Sequence, residues 1–217
     1  MELVRFWFYQ FNRLFIGMLL HLVTRWKVVG RENVPRQGPV VVVSNHLHNA
    51  DPPFVGVSLG RRGLFMAKEE LFSSLVLRCC IRMLGAFPVR RGRLDRSALR
   101  RAEHVLSRGL PLILFPEGMR SSTARLLPAS SGVARIALRN KAPILPVGIS
   151  GTEKLNGSAW PLRRPSVLVR IGQPFCLYCP NGKPAKPQLE ELTVHIMEQI
   201  AALLPVEYRG NYDNRKK

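Results

Sequence analysis

Acidic residues are scarce in this chain: 217 residues carry 14 Asp+Glu against 33 Lys+Arg, a net charge of +19. Such an imbalance suits an anionic partner, whether nucleic acid, an acidic membrane surface, a phosphorylated substrate or an acidic carrier protein. Cysteine is equally sparse, with an adjacent pair, Cys79 and Cys80, and a lone Cys176-x-x-Cys179. Neighbours on a helix diverge by about 100°, which argues against a four-thiolate zinc site, and the four are read as reduced cytosolic thiols. Long apolar runs are also missing. The charge-free stretch from Leu14 to Thr24 is shorter than the roughly 20 residues a bilayer span requires. The basic start and apolar middle of the N-terminus resemble a signal peptide, but no small-residue cleavage site follows. Internal repeats and low-complexity tracts are absent.

At this length, 46% hydrophobic residues suffice for one well-cored domain. The basic excess is uneven: Arg61 to Arg101 holds eleven basic residues against Glu69, Glu70 and Asp95. That segment is expected to face something negative.

Residues 1–27 pattern as a helix in which Trp7, Phe8, Phe11, Phe15, Met18, Leu19, Leu22 and Trp26 form one stripe, with Arg5, Asn12, Arg13, His21 and Arg25 mostly elsewhere. Such a helix either packs on a core or lies in the headgroup layer. Bulky aromatics beside arginines favour the interfacial reading. The expected organisation is therefore an amphipathic membrane-interface helix at 1–27 and an α/β domain at 28–217.

Past a turn-rich connector at Gly30–Pro39, the β-branched run Val40–Ser44 reads as a buried strand, and Asp51 as a helix cap before Pro52 and Pro53. Further strands are expected at Gly63–Ala67, Phe87–Val89, Leu110–Phe115, Pro143–Ser150 and Val167–Ile171. Helices are expected at Ser73–Leu84, from Asp95 to Gly109, at Ala129–Arg139 and from Pro187 to before Pro205. Strands alternating with helices predict a single layered α/β domain with a mainly parallel central sheet flanked by helices, and sites at the carboxyl ends of strands.

Two polar segments fall at such ends, SNHLHNAD (44–51) and FPEG (115–118). A serine nucleophile at Ser44 lacks the exposed elbow turn, and no G-x-S-x-G is present. A metal reading would join His46, His48 and Asp51 to a distant carboxylate, yet His21, His104 and His195 lie in helical patterns without ligand spacing. A third reading makes a histidine a general base whose tautomer Asp51 fixes across a bend. Its company strengthens it: Glu117-Gly118-x-Arg120 at one strand end, Lys68 after another and the segment Gly85 to Arg91 supply the cations a phosphate-bearing substrate requires.

NHLHNAD followed by Pro52, GAFPVRRG (85–92), FPEGMRS (115–121) and APILPVGI (142–149) together resemble the four ordered blocks of the 1-acylglycerol-3-phosphate acyltransferase family, with AKEEL (67–71) and VEYRGNY near the C-terminus also similar. The resemblance implies acyl transfer from acyl-CoA or acyl carrier protein to the free hydroxyl of 1-acylglycerol 3-phosphate at the cytoplasmic face of a membrane. It implies His46 as base and Asp51 as its partner in an H-x4-D motif, with no covalent intermediate. Lys68, Arg90, Arg91, Glu117, Gly118 and Arg120 are implied as substrate-binding residues, with no metal and no cofactor beyond the acyl donor.

This sequence departs from the family pattern at His48, where a small hydroxyl residue is common, at Met119 in place of threonine, at Pro88-Val89 before Arg90, and at Ser130 and Ser131 in place of a basic residue. These departures bear on the acceptor, so transfer to glycerol 3-phosphate, another lysophospholipid or an amino lipid is the alternative. A non-catalytic membrane binder of the same fold is a remoter one. A nucleic-acid binder has only the charge in its favour, since no helix-turn-helix, zinc-finger or RNA-binding signature accompanies it.

Overall fold

The computed structural model describes residues 2–68, 85–89, 96–157, 159–179 and 184–213. Among these, helices α1 (Glu2–Val23), α2 (Asp51–Ser58), α3 (Arg96–Ser107), α4 (Gly132–Arg139), α5 (Trp160–Arg163) and α6 (Lys186–Ala202) surround a sheet of β1 (Arg25–Val29), β2 (Val40–Ser44), β3 (Leu64–Lys68), β4 (Ala86–Val89), β5 (Pro111–Leu114), β6 (Ile144–Ser150) and β7 (Ser166–Ile171). The strand order is β1-β7-β6-β2-β5-β3-β4. Every pairing is parallel except β6 with β7. The expected mainly parallel α/β sheet is thus observed, with one antiparallel junction.

β2 sits in the middle, pairing β5 on one side and β6 on the other. Burial on both faces explains its unbroken valines. Val41 and Val43 join a core with α3, α4 and α6, while Val40 and Val42 join a second core with Phe54, Val55 and Val57 of α2 and with Trp26. After β2 the chain leaves toward α2 on one face, and after the adjacent β5 toward α4 on the other. Such a divergence of neighbouring strands opens a crevice at their carboxyl ends, and it places SNHLHNAD against FPEG.

Several expectations are corrected. The N-terminal helix stops at Val23, and Arg25–Val29 instead form an edge strand parallel to β7. Trp26 therefore does not extend the helix stripe: it is buried edge-to-face on Phe54, ring centroids 5.7 Å apart. The boundary expected after Lys27 falls within this strand. Along α1, Trp7, Phe11, Leu14, Phe15, Met18, Leu19 and Leu22 are exposed while Asn12 is buried. The side chains of Arg5 and Phe8 lie outside the described residues.

Asp51 is the first residue of α2 and Ala50 its cap, so the carboxylate is released from capping. α4 begins at Gly132 rather than Ala129, because the Ser130 N–H donates to the Pro116 carbonyl and holds this stretch on the FPEG loop. The helix expected at Ser73–Leu84 and the cap expected at Asp95 lie outside the described residues.

Candidate active site

The His46 side chain sits just past β2. Its Nδ1 is 2.8 Å from Asp51 Oδ2, and the same oxygen accepts the Leu47 N–H at 2.6 Å and the His48 N–H at 2.8 Å. Oδ1 is buried without a partner among the described residues, so the carboxylate's bonding converges on Oδ2. An oxygen already accepting two amides presents lone pairs to the ring. Nδ1 therefore carries the ring hydrogen and Nε2 keeps a lone pair. The Asp51 side chain is 0% exposed and that of His46 18%, so a substrate meets the ring and not the carboxylate.

The His46 main chain is held by the loop after β5. Its N–H donates to Glu117 Oε1 at 3.0 Å, its carbonyl accepts the Ser121 N–H at 2.8 Å, and its ring stacks on Phe115 at 4.4 Å between centroids. Asn45, one residue earlier, extends the β2–β6 pairing with its side chain: Nδ2 donates to the Ile149 carbonyl and Oδ1 accepts the Ile149 N–H, both at 2.8 Å. Position, ring orientation and tautomer of His46 are thus each fixed by a separate partner.

Glu117 is buried on the loop after β5. Its carboxylate faces inward, with Oε1 on His46 N–H and Oε2 on Leu127 N–H at 3.0 Å. Burial pushes its pKa up to about 7, against the opposing pull of those two N–H groups. Occupied in this way, the Glu117 side chain braces the loop. Gly118 adopts the left-handed conformation (φ +67) with its N–H on the Phe115 carbonyl. A side chain there would meet no neighbour, so backbone conformation and not crowding calls for glycine.

Arg120 is exposed on the same loop. Lys68 ends β3 at the same sheet edge, but its side chain, like Arg90 and Arg91, lies outside the described residues. The structure therefore brings together His46, Asp51, Glu117, Gly118 and Arg120. Met119 is exposed, and Ser130 and Ser131 follow the loop into α4.

His48 does not share the Asp51 carboxylate through its ring. Its Nδ1 accepts the Ala50 N–H at 3.2 Å, which leaves Nε2 as the hydrogen-bearing nitrogen. Burial lowers its pKa, partly offset by Asp51 and reinforced by Arg120 and His46. The two histidines thus present opposite faces: His46 an acceptor, His48 a donor. Among the described residues no group of three or more His, Cys, Asp or Glu could hold a metal ion.

Sequence reasoning passed over Asn45, Phe115 and Ser121. The signal for Asn45 was its place between a buried strand and the base, where a polar side chain needs a backbone partner.

An acyltransferase family model matches residues 25–150, more than half of the chain. The chloroplastic 1-acyl-sn-glycerol-3-phosphate acyltransferase of Brassica napus is 30% identical over 168 residues, which cover 75% of this chain and 48% of that protein. The 1-acyl-sn-glycerol-3-phosphate acyltransferase of Bacillus subtilis is 26% identical over 196 residues, covering 90% and 96%. The chain thus spans about half the length of the chloroplast relative and nearly all of the bacterial one. The crystal structure of the 1-acyl-sn-glycerophosphate acyltransferase of Thermotoga maritima superposes with a TM-score of 0.72 at 28% identity, covering 93% of this chain and 80% of that one. With the family model spanning β1 to β6 and the H-x4-D pair at the carboxyl end of the central strand, the chain belongs to the acyltransferase family.

Proposed function

We propose that this chain transfers a fatty acyl group from acyl-CoA or acyl carrier protein to the free hydroxyl of 1-acylglycerol 3-phosphate, giving phosphatidic acid for phospholipid synthesis. The observation that carries the reading is the His46 ring, tied to Asp51 through Nδ1 and partly exposed while the carboxylate is buried. The names of its relatives support the acceptor.

On this reading, His46 Nε2 takes the hydroxyl proton as the acceptor oxygen attacks the thioester carbonyl. A C–O bond forms, the C–S bond breaks, and the imidazolium returns the proton to the leaving thiolate. A thioester is activated already, so no covalent enzyme intermediate is required. General-base help is worth roughly 10²- to 10⁴-fold and orientation can add more. Arg120, with Lys68, Arg90 and Arg91, offers guanidinium and ammonium donors to the acceptor phosphate, and Gly118 makes the left-handed turn that leads into Arg120.

The chain works from the cytoplasmic face of a membrane as a peripheral or monotopic protein. No helix among the described residues is long and apolar enough to cross a bilayer, and the outward apolar face of α1 supports an interfacial position. The two parts of the chain are then this helix and the α/β acyltransferase domain.

The test is transfer from labelled acyl-CoA and acyl carrier protein to lysophosphatidate, glycerol 3-phosphate and other lysophospholipids. Wild type is expected to acylate lysophosphatidate, with a loss of at least about 10²-fold in His46→Ala. No transfer to any acceptor, or full activity in the variant, overturns the reading; preference for another acceptor overturns its substrate alone.

A further inference from the structure

We propose that the short turn around α5, residues 159–165, is a second lipid contact that works beside α1 and seats the catalytic edge of the sheet on an anionic bilayer surface. The inference rests on the membrane reading above and adds a specific surface to it.

β7 runs antiparallel to β6, so its first residue, Ser166, lies on the side to which β2, β5 and β6 point, past their carboxyl ends: Ser44 is level with Ile171, and Asn45, beside His46, bonds Ile149, level with Val169. The turn immediately precedes Ser166. β1 is parallel to β7 and pairs Arg25 with Ser166, so the C-terminal end of α1 reaches the same side. β7 is two strands from β2, about 10 Å across the sheet. A surface that touches both the turn and the end of α1 therefore lies past the catalytic loop, on the side to which β2 delivers it.

The turn is tied to the body with an apolar side chain left in water. Trp160 packs on the core around Trp26. Arg164 Nη2 donates to the His21 carbonyl at the end of α1 at 2.9 Å, and Arg25 N–H donates to the Pro165 carbonyl at 3.0 Å. Within this frame Leu162 is 88% exposed. Arg164 sits at φ 44, a left-handed conformation that costs a non-glycine residue about 1 kcal/mol. An ordinary surface turn would place glycine there; this one keeps a guanidinium.

Charge supplies the occupant. There is no acidic residue from Leu3 to Arg31 or from Lys154 to Arg170, and Arg25, Lys27, Arg163 and Arg164 are all exposed. Exposed Met18 and Leu22 on the last turns of α1 continue toward this group. An apolar stripe ending in a set of cations that form no ion pair among the described residues matches acyl chains beneath anionic phosphates. A protein partner would have to supply an acidic rim of its own and is the competing occupant.

The experiment measures partition of the full chain onto phosphatidylcholine vesicles with and without phosphatidylglycerol. Two variants are compared with wild type: Leu162→Asp with Arg163→Glu in the turn, and Phe11→Asp with Phe15→Asp on α1. The turn variant is expected to bind the phosphatidylglycerol vesicles at least about tenfold more weakly. It should keep the wild-type melt and wild-type turnover of an acceptor supplied as dispersed monomers. Arg163→Glu alone should give a smaller loss confined to the anionic vesicles, and it serves as the second variant should the pair fail to fold.

Unchanged partition of the turn variant beside a loss in the α1 variant overturns the turn and leaves the membrane reading standing. Equal loss on both vesicle types overturns the anionic component. Failure of wild type to bind either vesicle overturns the membrane reading and this inference with it.

Discussion

The loop after β2 and helix α1 serve the same edge of the sheet and are built on opposite plans. Around His46 the polar groups are buried and, apart from Asp51 Oδ1, matched: Asp51 Oδ2 takes three donors, Glu117 two, Asn45 both groups of Ile149. α1 has its large apolar side chains outside and Asn12 inside, with Tyr9 Oη donating to the Arg61 carbonyl at 3.1 Å as one polar tie to the body. The first arrangement yields one fixed geometry, because each buried donor left unmatched costs about 1–3 kcal/mol. The second gains little from water, and its apolar face calls for another phase. One region is thus ordered by buried hydrogen bonds, and the other leaves an apolar face outward.

Asp51→Asn tests the first plan with the largest expected effect. An amide at this position presents Nδ2 as well as Oδ1 and cannot secure the ring tautomer or stabilise an imidazolium. A fall of at least about 10²-fold in kcat is expected, with vesicle partition unchanged. Steady-state rates beside vesicle co-sedimentation measure both, and a matched loss of binding would collapse the distinction between the regions.

Glu117→Gln is expected to have an intermediate effect. The amide keeps one acceptor oxygen for two N–H donors, so either His46 or Leu127 loses its partner, and a loss in kcat on the order of tenfold follows from one unmade buried bond. The pH dependence is separately diagnostic. Because burial raises the Glu117 pKa from 4.5 to about 7, the folded state holds a proton that the unfolded state has released between those values. Stability therefore falls as pH rises across that window and levels above it. Glu117→Gln should remove that fall in thermal melts recorded across the window. An unchanged slope would show that the brace does not titrate there.

His48→Ser is expected to have the smallest effect, a few-fold rise in the acceptor KM with kcat nearly intact. The ring's Nε2–H is an accessory donor beside Arg120, and a neutral hydrogen bond contributes about 0.5–1.5 kcal/mol. A change in kcat as large as that of Asp51→Asn would place His48 in the proton transfer and dissolve the division of labour between the two histidines.

How much of this was legible in the sequence differs by element. β2, β5 and β6 were readable because strands buried on both faces are written as continuous apolar runs. RWKVV was not, because Trp26 at i+4 from Leu22 fits a helix stripe as well as it fits a strand. Pairing with β7 decides the case, and no local pattern announces a distant edge. Likewise, H-x4-D announced a ring and a carboxylate, while FPEGMR announced a strand end with an acid and a cation.

The chain alone thus determined the periodicities, the excess of positive charge and the residue types at the two strand ends, since these depend on local order and composition. Tertiary structure decided where the side chains point. It turned Glu117 inward, gave Asp51 to His46 instead of to the α2 cap, set Asn45 on Ile149 and brought the turn at 159–165 against the end of α1. Those outcomes depend on which strands become neighbours and on which donors are left unmatched when the core closes, quantities that exist only once the chain has folded.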